Sequence, residues 1–299
     1  VAGRKAIINI LLFILILSGC DSGAGSAAKL TDPDAFTERN IYLDKVVEWN
    51  PETAGSSRTS FWGWTDENCI PIQNDYALGP PTGTGSWTSG GPSTCVGING
   101  SAAWRFEEGF YIYNGSGDDF TTFQDNFAWN GTANGLCCEL GHVEVSEDMI
   151  TWYYNSAEEY DVNSEPDNSN ENYCYFNVKG LHGNNPTWAN VNDDMKAQEL
   201  VYNESLGDYK WTNISGVYVM RDFKPTDPYL GGNSFDLSTF RSKVDDSPWP
   251  DNGKMRYIRL IDDDTILDGQ DYSKPWCLGT HLHAAMGINV KRDESKVEK

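Results

Sequence analysis

The sequence predicts an all-β domain: an antiparallel β-sandwich with long loops and little helix. Three observations carry that expectation. Short stretches such as HVEVS and GVYVM alternate apolar and polar residues with a period of two. Turn formers separate them, with 29 Gly and 13 Pro in 299 residues. Aromatic residues make up 13% of the chain, 11 of them Trp, and such side chains suit a pleated, half-buried surface.

Taken in order, Ile41-Tyr42-Leu43 opens the domain as a first strand or a short helix. Residues 61–100 are rich in Trp, Gly, Pro, Ser and Thr, and have loop chemistry. Ala102–Phe106 and Phe110–Asn114 flank Glu107-Glu108-Gly109, which reads as a hairpin. In 142–146, Val143 and Val145 face one way, His142 and Glu144 the other; Glu147-Asp148 then turns into Ile150–Tyr154. Residues 155–175 form an acidic, Asn-rich insertion with more loop than core character. A helix is expected around Asp193–Val201. Gly216–Met220 alternates through Val217 and Val219, and Arg256–Ile261 places Ile258 and Leu260 inward, Tyr257 and Arg259 outward. Thr280–Val290 closes the domain, and the charged tail after it is expected to fray. Strands this short and this numerous, joined by loops, point to a sandwich.

Charge narrows the function. Lys plus Arg number 22 against 44 Asp plus Glu, a formal charge of −22. So acidic a surface repels phosphate backbones, which argues against nucleic acid as a partner. It equally disfavours docking on anionic headgroups through basic patches. The aromatic content separates the chain from disordered acidic segments.

Arg4 and Lys5 precede an apolar run, Ala6–Leu17, interrupted by one Asn. Twelve helical residues fall short of a hydrocarbon core of about 30 Å, so the pattern is that of a signal peptide rather than a spanning helix. The run ends in Leu17-Ser18-Gly19-Cys20, which resembles a bacterial lipobox. That resemblance implies cleavage before Cys20 and a diacylglycerol on its sulfur, two or more acyl chains being what holds a soluble domain on a membrane. The expected organisation is therefore a lipoprotein signal peptide over 1–19, a lipidated Cys and Gly/Ser/Ala tether over 20–39, one β-sandwich over 40–290 and a charged tail over 291–299. The expected location is the cell envelope, at the outer membrane or cell surface.

With Cys20 assigned to lipid, Cys69, Cys95, Cys137, Cys138, Cys174 and Cys277 remain. An even count in an exported chain suggests disulfides, whose pairing the sequence leaves open among 15 arrangements. A zinc site is the rival reading, but no C-x-x-C pair or matching His spacing supports it.

Four ordered stretches carry a wider resemblance. Gly117–Phe127, GDDFTTFQDNF, resembles a G-x-D-F-x-x-F-E-N-x-F signature, and HVEVSEDMITWY resembles a V-x-V-S-x-D-G-x-x-W hairpin. GGNSFDL, residues 231–237, resembles G-G-D-x-F-D-L, and MRYIRLID, residues 255–262, resembles an A-R-Y-V-R-I strand. Together they resemble a family of bacterial, spirochaete-type cell-surface lipoproteins whose domain is similar to the discoidin and galactose-binding-like jelly rolls. The resemblance spans about Ala102–Val290 and implies a jelly roll and a surface role. The chain departs from the pattern at Gln124, Asn233 and Met149. It departs again at His281 and His283, which stand where the family's closing strand carries Asp.

The residues suggest three candidate sites. Asp118 and Asp119 in a Gly-flanked turn, with Asp262, Asp263, Asp264 and Asp268 after a strand end, supply the hard oxygens that Ca²⁺ takes, so a structural Ca²⁺ is one expectation. The competing reading is a solvated acidic loop. His281 and His283, two apart on a strand, share a face and could bind a transition metal given a third ligand; the competing reading is ordinary hydrogen bonding on a sheet. Trp62, Trp64, Trp87 and Trp249 lie in Gly/Pro-rich segments, where an exposed ring could stack on a sugar while neighbouring Asn and Asp read its hydroxyls. The competing reading is core packing, as expected for Trp104 and Trp152.

No G-x-S-x-G, H-E-x-x-H or P-loop occurs, so no catalytic residue is assigned. The leading expectation is a membrane-anchored, non-catalytic surface module that binds carbohydrate or a host or matrix glycoprotein. The alternatives are a structural or assembly lipoprotein of the envelope and, more remotely, a polysaccharide hydrolase with facing carboxylates.

Overall fold

The computed structural model describes residues 40–52, 70–82, 93–124, 140–159, 178–205, 208–263 and 279–293. Over these the chain is antiparallel and all-β, without an α-helix. The strands are β1 (Ile41–Asn50), β2 (Thr94–Cys95), β3 (Ser101–Phe106), β4 (Phe110–Ile112), β5 (Phe120–Phe123), β6 (His142–Ser146), β7 (Trp152–Asn155) and β8 (Met195–Asn203). They continue with β9 (Asp208–Val219), β10 (Asn233–Phe235), β11 (Phe240–Ser242), β12 (Tyr257–Ile261), β13 (His281–Leu282), β14 (Ala284–Gly287) and β15 (Val290–Arg292). Nine of them form one sheet in the order β10-β5-β14-β1-β3-β12-β6-β7-β11, and β13-β2, β15-β4 and β8-β9 pair separately.

The large sheet curls into two layers, and β1 makes the corner. Its first residues, Ile41 and Tyr42, pair with β14, whereas Leu43–Asn50 pair with β3 through two register shifts. Bulges of this kind let one strand serve two layers. The far edges also meet. β10 and β11 lie at opposite ends of the sheet, yet only residues 236–239, with a 3₁₀ turn at Leu237–Thr239, separate them in the chain. Phe120 on β5 stacks on Phe235 at 5.0 Å between ring centroids, and Phe240 on β11 comes within 6.0 Å of Phe120. Such ring pairs add roughly 0.5–1.5 kcal/mol beyond the area they bury.

The core between the layers comes from period-two alternation. Val143, Val145, Ile258, Leu260, Trp104 and Ile41 point inward and are almost wholly buried. Glu144 points outward but is covered: it pairs with Lys243 and with Arg259, whose guanidinium lies 4.0 Å over the Trp152 ring.

The β5–β14 layer is buried on its second face too. There Phe123, Ala284 and Met286 meet Trp188, Val219, Phe223 and Leu230 in a second core, with Tyr42, Met195 and Trp211 packed against it. The long β8–β9 hairpin is thus seated on the outer face of that layer.

Three expectations need correction. Ala102–Phe106 and Phe110–Asn114 do not form a hairpin. The chain turns at Gly109 (φ +85°), but both sides of β3 are already taken by β1 and β12, and β4 pairs with β15 instead. The segment expected to be a helix around 193–201 is strand β8: Lys, Ala, Gln, Glu and Leu favour a helix locally, and pairing with β9 overrides that preference. The domain also continues past Val290, because Lys291 and Arg292 belong to β15 and Asp293 is buried against Arg256 and Lys254.

Candidate functional site: a cleft beside the sheet edge

A cleft of about 580 Å³ opens where the β8–β9 hairpin passes the β5–β10 edge. Thr121 of β5 and Ser234 of β10 form its floor, their hydroxyl oxygens 2.8 Å apart. Gln198 of β8 and Trp211 of β9 line the hairpin side. The loops supply Asp118, Asn289, Asn185, Trp188, Asp227 and Tyr229.

Each wall is held by a nameable interaction. Asn233 Oδ1 accepts the backbone N–H groups of Gly183, Asn184 and Asn185 at 3.1, 3.1 and 3.3 Å, which sets the loop that delivers Asn185 and Trp188. Gly232 has φ +72°, and a Cβ there would lie 2.6 Å from the Thr122 carbonyl oxygen, so only glycine lets the 225–232 loop close on β5. Trp188 is buried and meets Trp211 edge-on, with ring centroids 5.8 Å apart at 62°. The Trp211 ring is partly exposed, and its indole N–H is buried with no acceptor among the described residues. Tyr229 is 39% exposed.

The carboxylates named from sequence divide into straps and rim groups. Asp119 is buried. Its Oδ1 accepts Gly115 N–H and Asn289 Nδ2, both at 2.7 Å, and its Oδ2 accepts Leu237 N–H at 2.8 Å. Burial pushes the Asp119 carboxyl above the usual carboxylate range, while those three hydrogen bonds pull it back. Asp262 is likewise buried and accepts Asn99 N–H at 3.0 Å and Thr280 N–H at 2.7 Å. Both side chains therefore tie loops together through backbone donors. Asp263 lies 3.7 Å from His142, whose other nitrogen meets Glu158 at 2.8 Å. Asp118 is exposed on the cleft rim. Among the described residues no three His, Cys, Asp or Glu side chains gather as metal ligands. Asp264 and Asp268 lie outside the described residues.

His281 and His283 are buried, not presented on a free sheet face. His283 Nε2 accepts the Thr82 backbone N–H at 2.8 Å, which commits that nitrogen to the protein. The His281 carbonyl takes Nε2 of His182 at 2.6 Å, and His182 Nδ1 lies 2.7 Å from Thr122 Oγ1.

Trp249 takes the core reading: it is 3% exposed and stands edge-on to Tyr153 at 4.8 Å. Trp62, Trp64 and Trp87 fall outside the described residues, as do Cys20, Cys69, Cys137, Cys138, Cys174 and Cys277. Cys95 is buried on β2.

Trp188, Trp211 and Tyr229 are cleft residues that sequence reasoning passed over. A signal existed for one of them. KPTDPYLGG, residues 224–232, sets an aromatic in the same Pro/Gly-rich company that drew attention to the other loop tryptophans. Trp211 sits in mid-strand, where nothing local distinguishes a cleft wall from a core.

No protein-family model matches the sequence. No curated protein matches it either.

Proposed function

We propose that this chain is a lipid-anchored binding protein of the cell envelope that holds carbohydrate, free or on a glycoprotein, in the cleft beside β5 and β10, without converting it. One observation carries the reading: a cleft of about 580 Å³ lined by aromatic rings together with hydroxyl, amide and carboxylate groups. That volume suits a small ligand. A ring face covers the apolar side of a sugar while the polar groups exchange hydrogen bonds with its hydroxyls. Trp188, Trp211 and the Asn233-held loop are fixed by packing before any ligand arrives, which lowers the ordering cost of binding. The anchor rests on the lipobox resemblance at Leu17–Cys20, and the surface role on the four-motif resemblance to spirochaete-type lipoproteins.

The test is a glycan array probed with the full chain, then calorimetry on the glycans retained. Tyr229→Ala is expected to weaken binding at least about tenfold, in line with the loss of a stacking ring, with an unchanged melting temperature. Full-chain protein that retains no glycan would refute the proposal. Incorporation of an alkynyl fatty acid, abolished by Cys20→Ser, tests the anchor.

A second reading, an assembly partner in the envelope, is favoured by the β8–β9 hairpin. There Val201, Tyr202 and Tyr218, together with Met220 just beyond the hairpin, are between 43% and 52% exposed. Photo-crosslinking from position 202 to one envelope protein, in cells where the glycan array is blank, would select it.

A further inference from the structure

The charge distribution of the cleft narrows the ligand further than the presence of rings does, and the selectivity it implies depends on the cleft being a carbohydrate site. Two carboxylates stand at its rim, Asp118 and Asp227, and no Lys, Arg or His is among the described residues that line it. Asp227 engages one oxygen with the Lys224 backbone N–H at 2.8 Å. Asp118 receives the Asn289 amide on its backbone carbonyl only, at 3.3 Å. Asp236 adds a further negative charge: burial and then the Asp236 carboxylate both push the Asp118 carboxyl upward. The remaining polar lining, Thr121, Ser234, Asn185, Gln198 and Asn289 among it, is neutral.

We infer that the cleft selects sugars without an anionic group and favours those carrying a free amine, rejecting uronates, sialic acids and sulfated glycans. A carboxylate on the ligand would meet Asp118 and Asp227 with no cation among the described lining residues to offset either. Its own hydration would be lost against acceptors that cannot donate. A hydroxyl donates to the same carboxylates, and an ammonium group does so with charge assistance. The net charge of −22 acts in the same direction at longer range, opposing the approach of polyanions.

The experiment titrates the full chain, at pH 7 and low salt, with methyl glycosides of the gluco, galacto and manno series. Each is offered as the neutral sugar, the uronate and the 2-amino-2-deoxy sugar. In whichever series binds, the uronate is expected to bind at least about fivefold more weakly than the neutral parent, and the amino sugar about threefold more tightly, as one unit charge a few ångströms away in a partly aqueous site dictates. Raising the salt to about 0.5 M should narrow both gaps, because the rim is solvent-exposed. Asp118→Asn with Asp227→Asn should nearly abolish them. A uronate that binds as well as its neutral parent overturns this inference and leaves carbohydrate binding standing. So do gaps that survive both high salt and the double substitution. No binding by any probe of the three series overturns the proposed function and this inference with it.

Discussion

Replacing Asp119 with alanine tests whether this buried carboxylate is a strap or a cation ligand. The side chain joins three segments: Gly115 before β5, Leu237 in the turn between β10 and β11, and Asn289 between β14 and β15. Removing it strands three donors around a small void. Hydrogen bonds to a charged group are worth about 1.5–3 kcal/mol each, but water can enter beside the exposed Asp118 and re-satisfy part of the set. Counting about half of the gross loss gives a destabilisation of about 3–4 kcal/mol. For a domain of this size that is a fall in melting temperature of roughly 6–16 °C. The assay is urea denaturation of wild type and Asp119→Ala, each with excess Ca²⁺ and with chelator. The strap reading requires the same loss in both conditions. A loss under about 1 kcal/mol would refute it. So would a calcium-dependent stabilisation of the wild type that the variant lacks, because the carboxylate would then be serving an ion.

Three further outcomes are expected. Glu144→Gln leaves Arg259 and Lys243 facing a neutral amide under Trp152, and should cost about 3 kcal/mol by urea denaturation, at the low end for a buried pair because Lys243 is half exposed. Gly232→Ala places a methyl group 2.6 Å from the Thr122 carbonyl oxygen in a left-handed conformation. It should cost at least about 1–2 kcal/mol and loosen the cleft loop, read as faster amide exchange in 225–232. His142 is pulled down by burial, but Glu158, Asp263 and Glu144 outweigh that and hold its pKa above the ordinary histidine value. Its stabilising contribution is therefore full below about pH 6.5 and is lost as pH rises through the higher folded-state value. Thermal melts over pH 5.5–8.5 should show that loss in wild type, and a flatter profile in His142→Gln.

The legible parts of the fold were those in which one strand face meets one core. Val143/Val145 and Ile258/Leu260 announced β6 and β12, and Glu147-Asp148 announced the turn into β7. Two features hid the rest. Strand partners far apart in sequence leave no local trace, so β4 reads as the partner of its neighbour β3 although it pairs with β15. The β5–β14 layer, buried on both faces, loses its alternation, and Thr121 and Thr122 look like surface residues while being almost wholly buried. In sequence the Asp119 turn reads as a hard-ligand cluster; that its oxygens are taken by N–H groups depends on where Leu237 and Asn289 arrive, which only the fold sets.

The position of β14 has a temporal consequence. It lies between β5 and β1 in the middle of the sheet, and Ile41 is the register partner of Gly287. A nascent polypeptide therefore lacks the strip that joins Ile41 to the β5–β10 flank until residues 284–287 have emerged. Contacts of such long sequence separation make folding slow and all-or-none. The emerging chain must stay unfolded, or under the care of chaperones, until β14 arrives, and a stop codon shortly before Ala284 would leave two half-sheets with raw edges instead of a shorter working protein.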